Sequence, residues 1–301
     1  MSVTRRLIKE RDSETIQRLT EFSLRCRVGS FPRALIHKLL ERISTSPMCT
    51  IELVDDDETV AVAVIVDAIS NASGLAILDI IAMDPAIQKS EALRLILSEA
   101  ESSLRRIKTK PGLEAPIRQP LAECSDVLAQ QGFSFAFSNY EMETTPHAPL
   151  PEVVPAPRGF TWEVANEQHA RSYYEAVSAA MLPVPGGTVG SFEEIRGVLG
   201  TDSNRYVLMD QGTVAGFLTL RVEPERRFGY VQLLGRHPSY RGRGLGPVLL
   251  TEGMAKLRAQ GADYFALDVT ATNESALSLY KRFGFEVVAE SPTYAKRFEA
   301  A

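Results

Sequence analysis

The chain has 301 residues, 45% of them hydrophobic and 24% charged, with a formal net charge of −5; that is the composition of a folded protein long enough for two ordinary domains. The negative balance argues against a nucleic-acid coat or an anionic membrane surface as partner, so no nucleic acid and no membrane is expected. Cys26, Cys49 and Cys124 share no CxxC spacing, which suggests free thiols in a reducing cytoplasm and no metal site.

The first stretch, MSVTRRLIKERDSET, lacks the apolar core of a signal peptide. Residues 50–53 and 59–66 then read as a strand pair around the acidic turn Asp55-Asp56-Asp57. The apolar run 60–66 is far too short to cross a bilayer. Residues 75–82 form a further strand running into Met83-Asp84-Pro85. Residues 144–159, TTPHAPLPEVVPAPRG, hold five prolines and no periodicity. Proline fixes φ and removes a donor, so this stretch reads as an extended, stiff linker. The expected organisation is a domain over 1–145, a linker over 146–159 and a domain over 160–301.

The second half opens with a strand at 160–164, helices at 168–181 and 192–199, and strands at 205–209, 214–222 and 228–234. The run YRGRGLG follows at 240–246, then a helix over 247–259, a strand over 264–270 and a helix over 274–283. Closing strands begin at 285. Strands grouped before the glycine run and alternating with helices after it give an α+β class, with a central mixed α/β sheet flanked by helices. The first half repeats the order. Residues 85–93 lie without gaps on 238–246 at an offset of 153, and Gly132-Phe133 on Gly284-Phe285 at an offset of 152. Self-similarity at so long a period suggests two copies of one fold.

The glycine run excludes two phosphate motifs. A P-loop needs Lys and then Ser or Thr after its last glycine, but Gly246 is followed by Pro247 and Val248. A dinucleotide fingerprint starting at Gly242 would need glycine at Pro247. What fits is a strand-to-helix turn with Pro247 in the first helical turn. Free N–H groups at such a start form an anion site that missing Cβ atoms leave open. A plain turn is the alternative, though it would need one glycine rather than three.

Together, HPSYRGRGLG and the later NESALSLYKRFGF resemble the GNAT family of acetyl-coenzyme-A-dependent N-acetyltransferases. Arg241, Gly242, Arg243, Gly244, Leu245 and Gly246 match the family's R/Q-x-x-G-x-G/A element. Asn273, Ala276, Leu279, Tyr280, Gly284 and Phe285 match its second motif. The resemblance implies that this glycine element binds acetyl-CoA as co-substrate, with the N–H groups of Arg243, Gly244, Leu245 and Gly246 on the pyrophosphate and Asn273 as a further coenzyme contact. It also implies Tyr280 as the acid that protonates the leaving thiolate, which acyl transfer to an amine requires. A core tyrosine and a simple N-cap are the other readings of Tyr280 and Asn273.

Asp268 stands where some similar members carry a glutamate acting on the amine; being shorter, it would work through a water, and a cross-strand surface aspartate is the alternative. Tyr230 and Glu223 are weaker candidates, and His237 reads as a loop residue. Arg236 departs from the family, which has a small apolar residue there. Arg282 and Lys281 could reach a coenzyme phosphate or simply face solvent.

The first copy keeps Gln88 at the arginine position but has Glu91 and Leu93 for glycines and Leu128 for Tyr280. It looks like a degenerate GNAT fold kept for structure, homodimer formation or substrate shaping. The expectation is a cytoplasmic enzyme moving an acetyl group from acetyl-CoA to a primary amine of a small molecule or peptide. An acyl-CoA-binding sensor or interaction module without turnover, or a transferase of a longer acyl group, are the other readings. The stretch MLPVPGGTVGSFEE is expected to line the acceptor site.

Overall fold

A computed structural model describes residues 3–8, 13–26, 28, 49–66, 70–107, 110–118, 121–200, 204–224 and 227–298. The first half of the chain runs β1 (Thr4–Ile8), α1 (Ser13–Arg25), β2 (Cys49–Asp55), β3 (Glu58–Val66), β4 (Ser70–Asn71), β5 (Ala76–Met83), α2 (Lys89–Ile107), β6 (Gly112–Pro116), α3 (Ser125–Gln130) and β7 (Ser134–Thr144). The second half runs β8 (Phe160–Val164), α4 (Ala170–Met181), β9 (Thr188–Val189), α5 (Phe192–Val198), β10 (Arg205–Asp210), β11 (Thr213–Glu223), β12 (Phe228–Arg236), α6 (Leu245–Ala259), β13 (Tyr264–Thr270), α7 (Glu274–Arg282) and β14 (Phe285–Arg297). The repeated order is therefore real: β2, β3, β5, α2, β6 and α3 answer to β10, β11, β12, α6, β13 and α7. Among the described residues, no helix is long and apolar enough to cross a membrane.

The chain divides into two compact units, and their edges differ from the expected domain boundaries. The first holds 1–69, 74–138 and 291–301; the second holds 70–73 and 139–290. Strand pairing is the reason. The end of β14 pairs antiparallel with β6, from Thr293↔Pro116 to Arg297↔Gly112. Likewise the end of β7 pairs antiparallel with β13, from Thr270↔Asn139 to Ala266↔Glu143. Each unit's sheet is thus finished by a strand from the other half of the sequence.

In the first unit, neighbouring strands run in the order β1-β2-β3-β5-β6-β14, antiparallel except for β5 and β6. Both faces are covered, which is why ETVAVAVIV reads as an unbroken apolar run. Ala61, Ala63 and Ile65 join Leu93, Ile96 and Leu97 of α2 on one side. Val62 and Val64 meet Leu19 and Phe22 of α1 on the other.

The second unit orders its strands β7-β13-β12-β11-β10-β8, antiparallel except for β12 and β13. The proline-rich stretch 146–159 contains no strand or helix. It lies along this unit, where the Val154 N–H donates to Thr251 Oγ1 at 3.0 Å and Val154 and Ala156 pack on the core beside α6.

Candidate active site

Two features of β12 shape the site. Its parallel pairing with β13 lasts only from Phe228↔Tyr264 to Tyr230↔Ala266. Immediately beyond, the register with β11 shifts, from Val231↔Leu220 to Leu233↔Thr219, leaving Gln232 as the extra residue of a bulge. A bulge bends its strand and ends local pairing. Residues 231–236 of β12 and 267–270 of β13 therefore diverge, opening a gap at the C-terminal ends of two parallel strands. That is where ligands of mixed sheets bind. Nothing in the sequence pattern signalled the bulge, because Gln232 reads as an ordinary outward strand residue.

The glycine run sits at the same end. His237 Nδ1 accepts from the Ser239 N–H at 3.2 Å and so caps a short 3-10 turn, Pro238–Tyr240; this is the loop role expected of it. Gly242 and Gly244 have φ of 81° and 73°, conformations that other residues rarely adopt, and where their Cβ atoms would stand there is open space. Gly244 is the N-cap of α6 and supplies no side-chain bond. The N–H groups of Gly244, Leu245 and Gly246 have no partner among the described residues, so they form the start of an anion cradle.

The other members of the run differ in detail. The Arg243 N–H already donates to the Tyr240 carbonyl at 3.3 Å. Its guanidinium lies 3.6 Å from Asp210 and 5.0 Å above the Tyr240 ring. Arg241 is exposed, and its N–H donates to the Pro238 carbonyl at 3.0 Å. Gly246 serves packing: a Cβ there would come within 3.1 Å of Leu279 Cδ2 on α7.

In the first unit the equivalent place is filled. The 153-residue offset puts the start of α6 opposite position 92, yet α2 already begins at Lys89. Lys89, Ser90 and Glu91, the counterparts of Gly242, Arg243 and Gly244, are thus a first helical turn, and Leu93 is buried in the core.

The proposed acid and base lie on opposite faces of β13. Tyr280 is 7% exposed and packs with Phe265, Leu267 and Val269 on one face. Its hydroxyl has no hydrogen-bond partner among the described residues, and burial pushes its pKa up to about 12. Asp268 is exposed on the other face and accepts from the Tyr230 hydroxyl at 2.6 Å. Glu141 of β7 stands directly opposite Asp268 in the register, a position at which Cβ atoms are about 4.5–5.5 Å apart. Sequence reasoning missed Glu141, because only the exchange of closing strands brings a first-half residue there.

Asn273 Oδ1 accepts from the Ala276 N–H at 3.2 Å and caps α7. Glu223 is set apart, opposite Phe228 at the far end of β12. Lys281 and Arg282 are exposed, Arg282 lying 5.0 Å above the Phe283 ring, while Arg236 is half-buried opposite Gly216.

The acetyltransferase (GNAT) family model matches residues 162–285. A mycothiol acetyltransferase of Corynebacterium aurimucosum is 42% identical over 86 residues, 28% of this chain and 28% of that protein. One from Thermobispora bispora is 31% identical over 149 residues, 47% of this chain and 50% of that protein. The matched stretch spans half or less of these relatives. A GCN5-related N-acetyltransferase from Sphaerobacter thermophilus matches with a TM-score of 0.72 at 18% identity, over 98% of this chain and 95% of that one. A tandem GNAT protein from the clavulanic acid biosynthesis pathway, solved without AcCoA, matches with a TM-score of 0.72 at 14% identity over 100% of both chains. At such identities the structural likeness speaks for the fold.

Proposed function

We propose, on the premise that residues 162–285 are a GNAT acetyltransferase domain within a tandem GNAT fold, that this chain moves an acetyl group from acetyl-CoA to a primary amine. The observation that carries the proposal is the Tyr280 hydroxyl. Tyr280 is 7% exposed, yet its oxygen is not among the sealed, unpartnered polar atoms of the described residues, so the hydroxyl stays a donor open to a group held in the strand gap.

The turn fits the coenzyme: open space over Gly242 and Gly244, and the unpartnered N–H groups of Gly244, Leu245 and Gly246, suit a pyrophosphate. Bound there, acetyl-CoA would supply an acetyl thioester. The gap between β12 and β13 lets a group held in it face Tyr280 on one side and Asp268 on the other. Asp268, aligned by Tyr230, takes the proton that the amine loses as its nitrogen bonds to the carbonyl carbon. Tyr280, whose pKa burial raises to about 12 so that it holds its proton at neutral pH, donates to sulfur as the carbon–sulfur bond breaks. Carboxylates at Asp268 and Glu141 favour the approach of a basic amine.

Thiol release from acetyl-CoA across a panel of amines, peptides and antibiotics tests the reading. The name carried by the relatives argues for including mycothiol-related compounds. Amine-dependent thiol release that Tyr280→Phe removes is the expected result. Tight acetyl-CoA binding with no release for any acceptor would favour a non-catalytic acyl-CoA sensor.

A further inference from the structure

Residues 182–191 join α4 to α5 and have a fixed backbone. The Val184 N–H donates to the Met181 carbonyl at 3.0 Å, and the Gly187 N–H to the Val184 carbonyl at 2.9 Å. Gly187 passes so near the Met181 carbonyl that a Cβ would stand 2.0 Å from its oxygen. Two tethers then hold the loop within the second unit. On one side, Thr270 Oγ1 donates to the Pro185 carbonyl at 2.9 Å. Thr270 is two residues beyond Asp268, on the same face of β13, so this tether sets the loop over the strand end where an amine would arrive. On the other side, Thr188 and Val189 of β9 pair antiparallel with Asn71 and Ser70 of β4.

The second tether comes from the first half of the sequence, and the internal repeat shows that it is an addition. In the second half, β11 and β12 pair up to Glu223↔Phe228, leaving only 224–227 as the connection. Their counterparts β3 and β5 pair up to Val66↔Ile77, leaving 67–76. A hairpin closes with about two to five residues, so the strand pair itself does not need the longer connection. Its described part, 70–73, belongs to the second compact unit.

We propose that this lengthened first-half hairpin, with Thr270 as a positioning residue, fixes loop 182–191 as a wall of the acceptor site. The half that lacks a glycine turn thereby takes part in choosing the amine. The proposal rests on the acetyltransferase reading. It differs from a purely structural role in that it separates handling of the amine from handling of the coenzyme.

The test uses the full chain with residues 70–73 deleted, which still leaves enough connection to close β3 onto β5. Two further variants are Thr270→Val, which keeps shape but removes the donor, and Thr270→Ser, which restores it. Hydrogen–deuterium exchange over 182–191 is expected to quicken at least about tenfold in the deletion and in Thr270→Val, with α2 and α6 unchanged and Thr270→Ser like the parent. With any amine that supports thiol release, its KM is expected to rise about five- to fiftyfold, while acetyl-CoA affinity and kcat stay within about twofold.

Parental exchange in the loop in both weakened variants, or coenzyme affinity falling in step with the amine, would overturn the proposal. A deletion that loses protection in α2 has unfolded, and the Thr270 pair then decides. Failure of the parent chain to bind acetyl-CoA would instead overturn the acetyltransferase reading.

Discussion

Tyr280 and Gly244 carry the sharpest expectations at the scale of single residues. The Tyr280 hydroxyl has no partner among the described residues, so Tyr280→Phe keeps the ring packing and removes none of the described hydrogen bonds; melting temperature should be unchanged or slightly higher. With an accepted amine, kcat should fall by about 10²–10⁴, with acetyl-CoA affinity retained. Full turnover in that variant would end the assignment.

The raised pKa adds a second readout. Below pH 10, tyrosine is protonated in folded and unfolded chains alike; between its ordinary value of 10.0 and about 12 only the unfolded chain loses the proton. Stability should therefore fall through that window by about 1.4 kcal/mol per pH unit from this group. Urea titrations should show less alkaline loss in Tyr280→Phe than in the parent chain. Gly244→Val would place a β-branched residue at φ 73° and close the open space above the turn. Acetyl-CoA binding by calorimetry should disappear while far-ultraviolet dichroism stays native; unchanged affinity in a folded variant would refute the cradle. At this scale the sequence was informative, because glycine spacing and the Asn273-to-Tyr280 separation are local. It could not show that the missing Cβ of Gly246 makes room for Leu279, because that depends on how α6 meets α7.

Between elements, the sequence revealed strands and helices well and their partners poorly. Residues 160–164, 205–209 and 264–270 read as strands and are strands. The closing strand β14 also reads as a strand from 285 onward, whereas β7 drew no such reading, and alternation of side chains in any case fixes which face is buried, not which strand lies alongside. The exchange of 139–144 and 291–297 was therefore hidden, and Glu141 with it. The end of β14 carries weight in the first unit: Tyr294 and Phe298 pack on its core, and Lys296 bonds Glu101 at 2.5 Å. A chain ending at Glu290 should lose protection from hydrogen exchange in β5, β6 and α2 and unfold at lower temperature in calorimetry. Native protection in those elements would show that β6 does not need its exchanged neighbour.

For the molecule as a whole, the tandem plan was legible from the repeat, and Glu91 and Leu93 at the glycine positions marked the first copy as different. The way α2 fills the equivalent place was not legible. α2 starts at Lys89, three residues before the counterpart of Leu245, and so extends into the space that the turn occupies in its twin. One acetyl-CoA per chain follows as the expected stoichiometry, since among the described residues the second unit alone keeps an unfilled glycine turn. Two equivalent sites in calorimetry would contradict this. Mutating Glu91 and Leu93 to glycine should not create a second site, because Leu93 is 0% exposed and its loss opens a cavity in the core.

The exchanged ends of β7 and β14 also bear on the order of events at the ribosome. The first unit contains residues 291–297, so everything from β1 to α3 can be synthesised while the outer edge of β6 still has no neighbour. Domains usually fold as they emerge, N-terminal first. Here the earlier-made unit must wait for residues 291–297, translated after the whole stretch 139–290, with one edge of the largely buried strand GLEAP open meanwhile. Such an edge invites pairing with another nascent chain. Translation stalled between the proline-rich stretch and β14 should thus yield a soluble, incomplete first unit only while a chaperone shields that edge, and release without one should give aggregates.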